Sequence, residues 1–142
     1  MFNTTHSLDY DLLRVTDFMR QYLPGLKAVE GAVAIGLPRD GRLVAGVLYE
    51  NFNGPNIWMH VAAEPGRRWM TRAYLEAVFA YPFLVAGVQR LWGYVNATNI
   101  EARRFDEHLG FREHARLEGA APDGGDLIVY LMRREWCRFI GI

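Results

Sequence analysis

The chain has 142 residues, 51% of them hydrophobic and 23% charged, which is the length and balance of one globular domain covering residues 1–142. Sixteen basic residues offset sixteen acidic ones, so the basic excess of a bulk nucleic-acid binder is missing. Cys137 is the single cysteine and cannot form an internal disulfide. With no signal-peptide pattern and no run near the ~18 apolar residues of a membrane span, a cytoplasmic protein without a membrane partner is expected.

Residues 8–23, LDYDLLRVTDFMRQYL, put Leu8, Leu12, Val15, Met19 and Tyr22 on one helical face, with Ser7 as the cap and Pro24-Gly25 as the stop. Three β-rich runs follow at 29–37, 42–51 and 57–63. They are separated by PRDG and NFNGPN, two turn signals that predict an antiparallel meander. Residues 67–81 predict a helix with an apolar stripe of Met70, Ala73, Ala77, Val78 and Tyr81, an Arg72–Glu76 pair on another face, and a break at Pro82. A fourth strand is expected at 88–96 and a helix at 98–109 closed by Gly110. Two last strands, 111–118 and 126–134, are joined by GAAPDGG. Strand three, the helix and strand four make a β-α-β unit, hence a parallel pair inside a mixed sheet, in an α/β architecture.

The turn HVAAEPGRRWMTRA, residues 60–73, delivers a strand into a helix start. Such a start carries free N–H groups and partial positive charge; Gly66 permits unusual backbone angles, and Arg67 and Arg68 add two guanidinium groups suited to phosphate oxygens. From spacing alone, a solvated charged bend is the reading favoured over an anion cradle, because one glycine is a weak phosphate signal.

The order of elements, this turn, and NATNIEARRFDEHLGF at 96–111 resemble the GNAT superfamily of acetyl-CoA-dependent N-acetyltransferases, in particular its ribosomal-protein-acetylating and phage-encoded subgroups. The likeness spans roughly residues 29–134. Gly66 matches the first glycine of the family's phosphate-binding turn, with Arg68 and Met70 where later small residues would stand. Asn99, Ala102, Phe105, Gly110 and Phe111 match the second motif. The resemblance implies a mixed, mostly antiparallel sheet of six to seven strands with helices on both faces and a central β-α-β unit that binds CoA. It implies pantetheine along Val61 and Ala63, and pyrophosphate on the N–H groups of Gly66, Arg67, Arg68, Trp69, Met70 and Thr71. Asn99 would bond the pantetheine side and Phe105 would line the channel. The implied partners are acetyl-CoA and an amine acceptor.

Acetyl transfer to an amine needs a base, stabilisation of an oxyanion and a proton for the leaving thiolate. An imidazole titrates near neutrality, which makes His60 the candidate base, and Glu50 is a second candidate, direct or through water. Each also reads as an ordinary strand residue, a half-buried histidine and a solvated carboxylate. The tyrosine that many relatives use as acid is replaced by Asp106, expected to be ionised at pH 7 and a poor donor unless its pKa is raised, and the alternative serine by Ala102; Tyr130 is a possible substitute. The four histidines lack metal-ligand spacing, so no metal is expected. Trp58, Trp69, Tyr74, Phe79, Tyr81 and Phe83 read as core. The apolar tail EWCRFIGI is expected on the sheet or on a second subunit, and a homodimer is expected by resemblance. Acceptor specificity is expected from the first helix and from the loops at 38–41, 51–56 and 119–125. The leading expectation is N-acetyl transfer to a primary amine of a small molecule or protein. The rival is a catalytically inactive module of the same fold that binds CoA or a partner.

Overall fold

The computed structural model describes residues 7–66 and 69–141. Along the chain these form α1 (Leu12–Met19), β1 (Val33–Arg39), β2 (Arg42–Glu50), β3 (Asn56–Ala63), α2 (Arg72–Ala80), β4 (Arg90–Asn96), α3 (Ile100–Leu109), β5 (Arg112–Leu117) and β6 (Leu127–Arg133). The strands build one six-stranded sheet in the order β1-β2-β3-β4-β6-β5. Every neighbouring pair is antiparallel except β3 with β4. The meander expected from PRDG and NFNGPN is present. Asp40 and Gly41, both at positive φ, form the two-residue turn between Arg39 and Arg42, as the right-handed twist of a hairpin requires.

The larger core fills the face covered by α2 and α3. Ile35, Val47, Tyr49, Ile57, Met59, Leu91, Ile128 and Tyr130 meet Tyr74, Leu75, Val78 and Phe79 of α2 and Leu109 at the end of α3. Two phenols fasten α2 to the sheet: Tyr74 donates to the Ile35 carbonyl at 2.8 Å and Tyr49 to the Val78 carbonyl at 2.5 Å. The opposite face is covered over β1–β3 by α1, where Val15, Phe18 and Met19 pack on Ala34, Leu48 and Ala62. Two sheet glycines let α1 approach. A Cβ on Gly46 would stand 2.8 Å from Met19 Cγ, and one on Gly36 would stand 2.9 Å from Val15 Cγ2.

Three local expectations are corrected. α1 is capped by Asp11, whose carboxylate accepts from the Arg14 N–H at 2.9 Å, and not by Ser7. The reason is non-local: Asp9 pairs with Gly36 as an isolated antiparallel bridge, which holds Leu8 outside the helix, and Tyr22 lies beyond its end. α2 starts at Arg72, and its buried stripe is Tyr74, Leu75, Val78 and Phe79. Met70 precedes the helix and Ala73 is exposed, because burying the larger apolar side chains removes more surface from water. The Arg72–Glu76 pair forms at 3.0 Å. Pro82 does not break the chain sharply. It sits in the first turn of a π-helical segment, Tyr81–Val85, where its missing N–H costs little.

Asn99 caps α3 and Gly110 closes it at φ 116°. Of the two placements expected for the C-terminal tail, its own core is the one observed: Phe139 stacks on Phe79 at 5.0 Å and Cys137 is buried. Arg138 donates to the carbonyls of His108 and Leu109, satisfying the last turn of α3.

If the closeness of α1 depends on Gly46, Gly46→Ala should lower stability in urea unfolding by about 1–3 kcal/mol, the usual cost of overpacking. Unchanged stability would mean that Met19 and Val15 repack freely.

Candidate active site

A parallel pair of strands carries evenly spaced hydrogen bonds for as long as the strands remain adjacent. β3 and β4 remain adjacent for three residue pairs only, Asn56–Arg90, Ile57–Leu91 and Trp58–Trp92. Beyond Trp58, β3 continues to Ala63 and β4 to Asn96 with no register between them. The strands diverge, and the β4-facing backbone groups at the end of β3 are left to another partner. Val61 and Ala63, the two positions assigned to pantetheine, lie in this unpaired stretch and turn toward the face of α2 and α3.

The chain leaves β3 through Glu64, Pro65 and Gly66, with Gly66 at φ 77°. Arg67 and Arg68 lie outside the described residues. Trp69 lies against both Tyr74 and Phe105, with ring centroids 6.2 and 5.2 Å away, so it spans from α2 to α3. Met70 is exposed, and Thr71 is the N-cap of α2, its hydroxyl accepting from the Tyr74 N–H at 3.2 Å. Asn99 Oδ1 is likewise occupied, accepting from the Ala102 N–H at 3.1 Å, which leaves its amide N–H groups for any ligand.

On the opposite face, at the mouth of the divergence, His60 and Glu50 meet. Glu50 stands opposite Trp58 and His60 opposite Leu48, so the two are diagonal neighbours on adjacent strands. His60 Nε2 lies 2.5 Å from Glu50 Oε2, and the side chains retain 14% and 20% of their exposure. With the carboxylate as acceptor, a neutral His60 in the Nε2–H tautomer would present Nδ1 as an acceptor. The geometry brings the two into one hydrogen-bonded imidazole–carboxylate pair that solvent still reaches.

Aromatic rings extend from this pair. Trp58 and Trp92 stack at 5.6 Å, Tyr94 lies 5.6 Å from His60 and 6.2 Å from Trp58, and His114 meets Trp92 edge-on at 5.0 Å. Trp58 was expected in the core; it is half-buried on the sheet face that α1 leaves open, whereas Tyr74, Phe79 and Phe83 are core as expected. Trp92, Tyr94 and His114 were not singled out from sequence. The usable signal was the alternation of Trp92 and Tyr94 in RLWGYVN, matched to Trp58 across the parallel pair.

The two candidate acids differ. Tyr130 is fully buried and donates to Glu107 at 2.6 Å, and burial and that carboxylate raise its pKa, so its proton is held. Asp106, one residue along α3, has no side-chain hydrogen bond among the described residues. Burial first, and the Glu107 charge second, push its carboxyl up to about 7. A carboxyl with that value is partly protonated at neutral pH. Among the described residues no group of three His, Cys, Asp or Glu side chains is arranged to hold a metal, and no helix is long and apolar enough to cross a membrane.

No known family profile matches the chain, and no curated protein sequence matches it. Solved structures do. A variant of the spermidine N-acetyltransferase SpeG from Vibrio cholerae superposes with TM-score 0.72 at 11% identity, over 89% of this chain and 94% of that one. A GNAT-family acetyltransferase from Bacillus anthracis gives 0.62 at 16% identity, over 86% and 84%. RimJ from Mycobacterium smegmatis, solved with CoA-disulfide, gives 0.61 at 20% identity, over 73% of this chain and 54% of RimJ. With the strand order, the divergence of β3 from β4 and the helix that follows it, these matches establish that the chain has the GNAT acetyltransferase fold.

Proposed function

We propose that the protein is an acetyl-CoA-dependent N-acetyltransferase acting on a primary amine in the cytoplasm. The observation that carries this reading is the divergence of β3 from β4 with the His60–Glu50 pair at its mouth. The unpaired backbone at Val61 and Ala63 suits the amide groups of a pantetheine arm, entering between α2 and α3 beside Trp69 and Phe105. The turn from Gly66 through Arg67, Arg68, Trp69, Met70 and Thr71 would receive the pyrophosphate, with Asn99 donating to the arm. Acetyl-CoA would supply the acetyl group as an activated thioester.

The chain's own residues then divide the proton transfers. His60 Nδ1 takes the proton that the attacking amine gives up, and Glu50 stabilises the resulting imidazolium. Asp106, at the position where the resemblance puts a tyrosine, gives a proton to the departing thiolate. Its protonated fraction at neutral pH is what suits it to replace a phenol.

Saturating acetyl-CoA should raise the thermal midpoint by linkage, and the absence of both a shift and calorimetric heat would reject the reading. His60→Ala and Glu50→Gln should each lower kcat by about 10²–10⁴-fold, with CoA affinity kept. Full CoA binding with no thiol release across many amines would instead support a catalytically inactive CoA-binding module.

Asp106 also makes a stability prediction. Its folded pKa of about 7 lies above the ordinary aspartate value of 3.8, so ionisation disfavours the folded state. The favourable contribution is complete below pH 4 and is lost as pH rises to 7. Asp106→Asn should therefore gain stability over the wild type across this window, by up to a few kcal/mol, while losing the activity limb that falls near pH 7. Parallel pH–stability curves for the two proteins would refute the buried, raised carboxyl.

A further inference from the structure

The sheet face that carries His60 and Glu50 changes character along β4. Alternation and register place Asn56 and Arg90, then Trp58 and Trp92, then His60 and Tyr94 in successive rows on this face. Across the antiparallel pair, Arg133 stands directly opposite Arg90, and Leu131 opposite Trp92. Two guanidinium side chains facing each other across strands repel, which disfavours this pairing unless something negative lies over it. Arg112, paired with Leu131, adds a third: its guanidinium lies 3.9 Å from the Trp136 ring and that of Arg133 5.8 Å from the same ring. Among the described residues no carboxylate pairs with Arg90, Arg112 or Arg133, while other arginines of the chain, such as Arg42, Arg72 and Arg116, do have one. Glu50 is the one acidic side chain that β2, β3, β4 and β6 present on this face, and His60 engages it.

Resting on the acetyltransferase reading above, we infer that the acceptor is the N-terminal α-amine of a polypeptide whose third to fifth residue is acidic. Charge complementarity commits the occupant: the arginine row attracts a carboxylate and repels a polyamine, the acceptor named for the SpeG relative. The spacing fits an extended chain. Four strand residues separate the His60 row from the Arg90 row, about 13 Å at ~3.3 Å per residue, so an extended peptide with its amine at His60 reaches the arginines with about its fourth side chain. Trp58 and Trp92 lie beneath the residues between. The α-amine is favoured over lysine because its ordinary pKa of about 8, against about 10.4, leaves far more of it neutral for attack.

The test uses short peptides of one sequence with a free N-terminus and Glu, Gln or Lys at position four, with spermidine alongside. Thiol release from acetyl-CoA gives turnover, and anisotropy of C-terminally labelled peptides gives binding. The Glu peptide should exceed the Lys peptide by about tenfold in kcat/KM, mainly through KM, with the gap narrowing as salt screens it. The Arg90→Glu/Arg133→Glu double variant should reverse that order, and Arg90→Lys/Arg133→Lys should keep it. An unchanged acetyl-CoA thermal shift shows that each variant is folded. Equal use of Glu and Lys peptides, preference for spermidine, no peptide binding, or a reversal variant with unaltered preference would each overturn the inference, while thiol release would leave the acetyltransferase reading standing. Charge-selective peptide binding without thiol release would uphold the surface and remove the catalytic reading.

Discussion

Backbone N–H and C=O groups withdrawn from water must find partners, and the architecture of this protein turns on the one place where the sheet does not provide them. β3 and β4 pair from Asn56–Arg90 to Trp58–Trp92 and then part. Below that point the sheet is continuous; above it, two half-sheets lean apart, one built from β1–β3 and the other from β4, β6 and β5. The gap costs ladder hydrogen bonds and leaves the β4-facing backbone at the end of β3 without a strand partner. Around its rim lie His60 and Tyr94 on one face and Val61 and Ala63 toward the other, with Trp69 and Phe105 bridging the helices beside it.

The two half-sheets are held by different means. On one face α2 and α3 cover both halves, and the buried phenols of Tyr49 and Tyr74 tie α2 to backbone carbonyls. On the other, α1 covers only β1–β3, and its closeness depends on Gly36 and Gly46. The remaining strands therefore present Trp58, Trp92 and Tyr94 to solvent beside an imidazole–carboxylate pair, with arginines at the far end. That asymmetry separates a side covered by two helices from a side left open beside the imidazole–carboxylate pair.

Much of this was legible locally. The Asp40-Gly41 turn and the Gly110 stop are set by the conformational preferences of single residues, and they lie where the sequence indicates them; the cap at Asn99 was not read from sequence. The meander and the parallel pair of β3 with β4 followed from the two turn signals and the β-α-β order, whereas the place of β6 between β4 and β5 came only from the structure. What failed locally failed for non-local reasons. Ser7 lost its capping role because Asp9 pairs with Gly36, and the α2 stripe was misread because the sheet selects the large rings over the alanines. Trp58 reads as core in any hydrophobic pattern; among the described residues no helix packs over it, which leaves it half-exposed.

The sequence by itself determined the elements, their order, the mixed sheet and the candidate pair His60 and Glu50, because propensities, turns and periodicity act over a few residues. The tertiary structure alone decided that His60 and Glu50 touch, since residues ten apart meet only through the register of β2 on β3. It also decided that Asp106 is half-buried beside Glu107 with its pKa pushed up to about 7, and that Arg90 stands opposite Arg133. Each of these depends on which strand or helix lies alongside, and such adjacency is created by packing, not by neighbours in the chain.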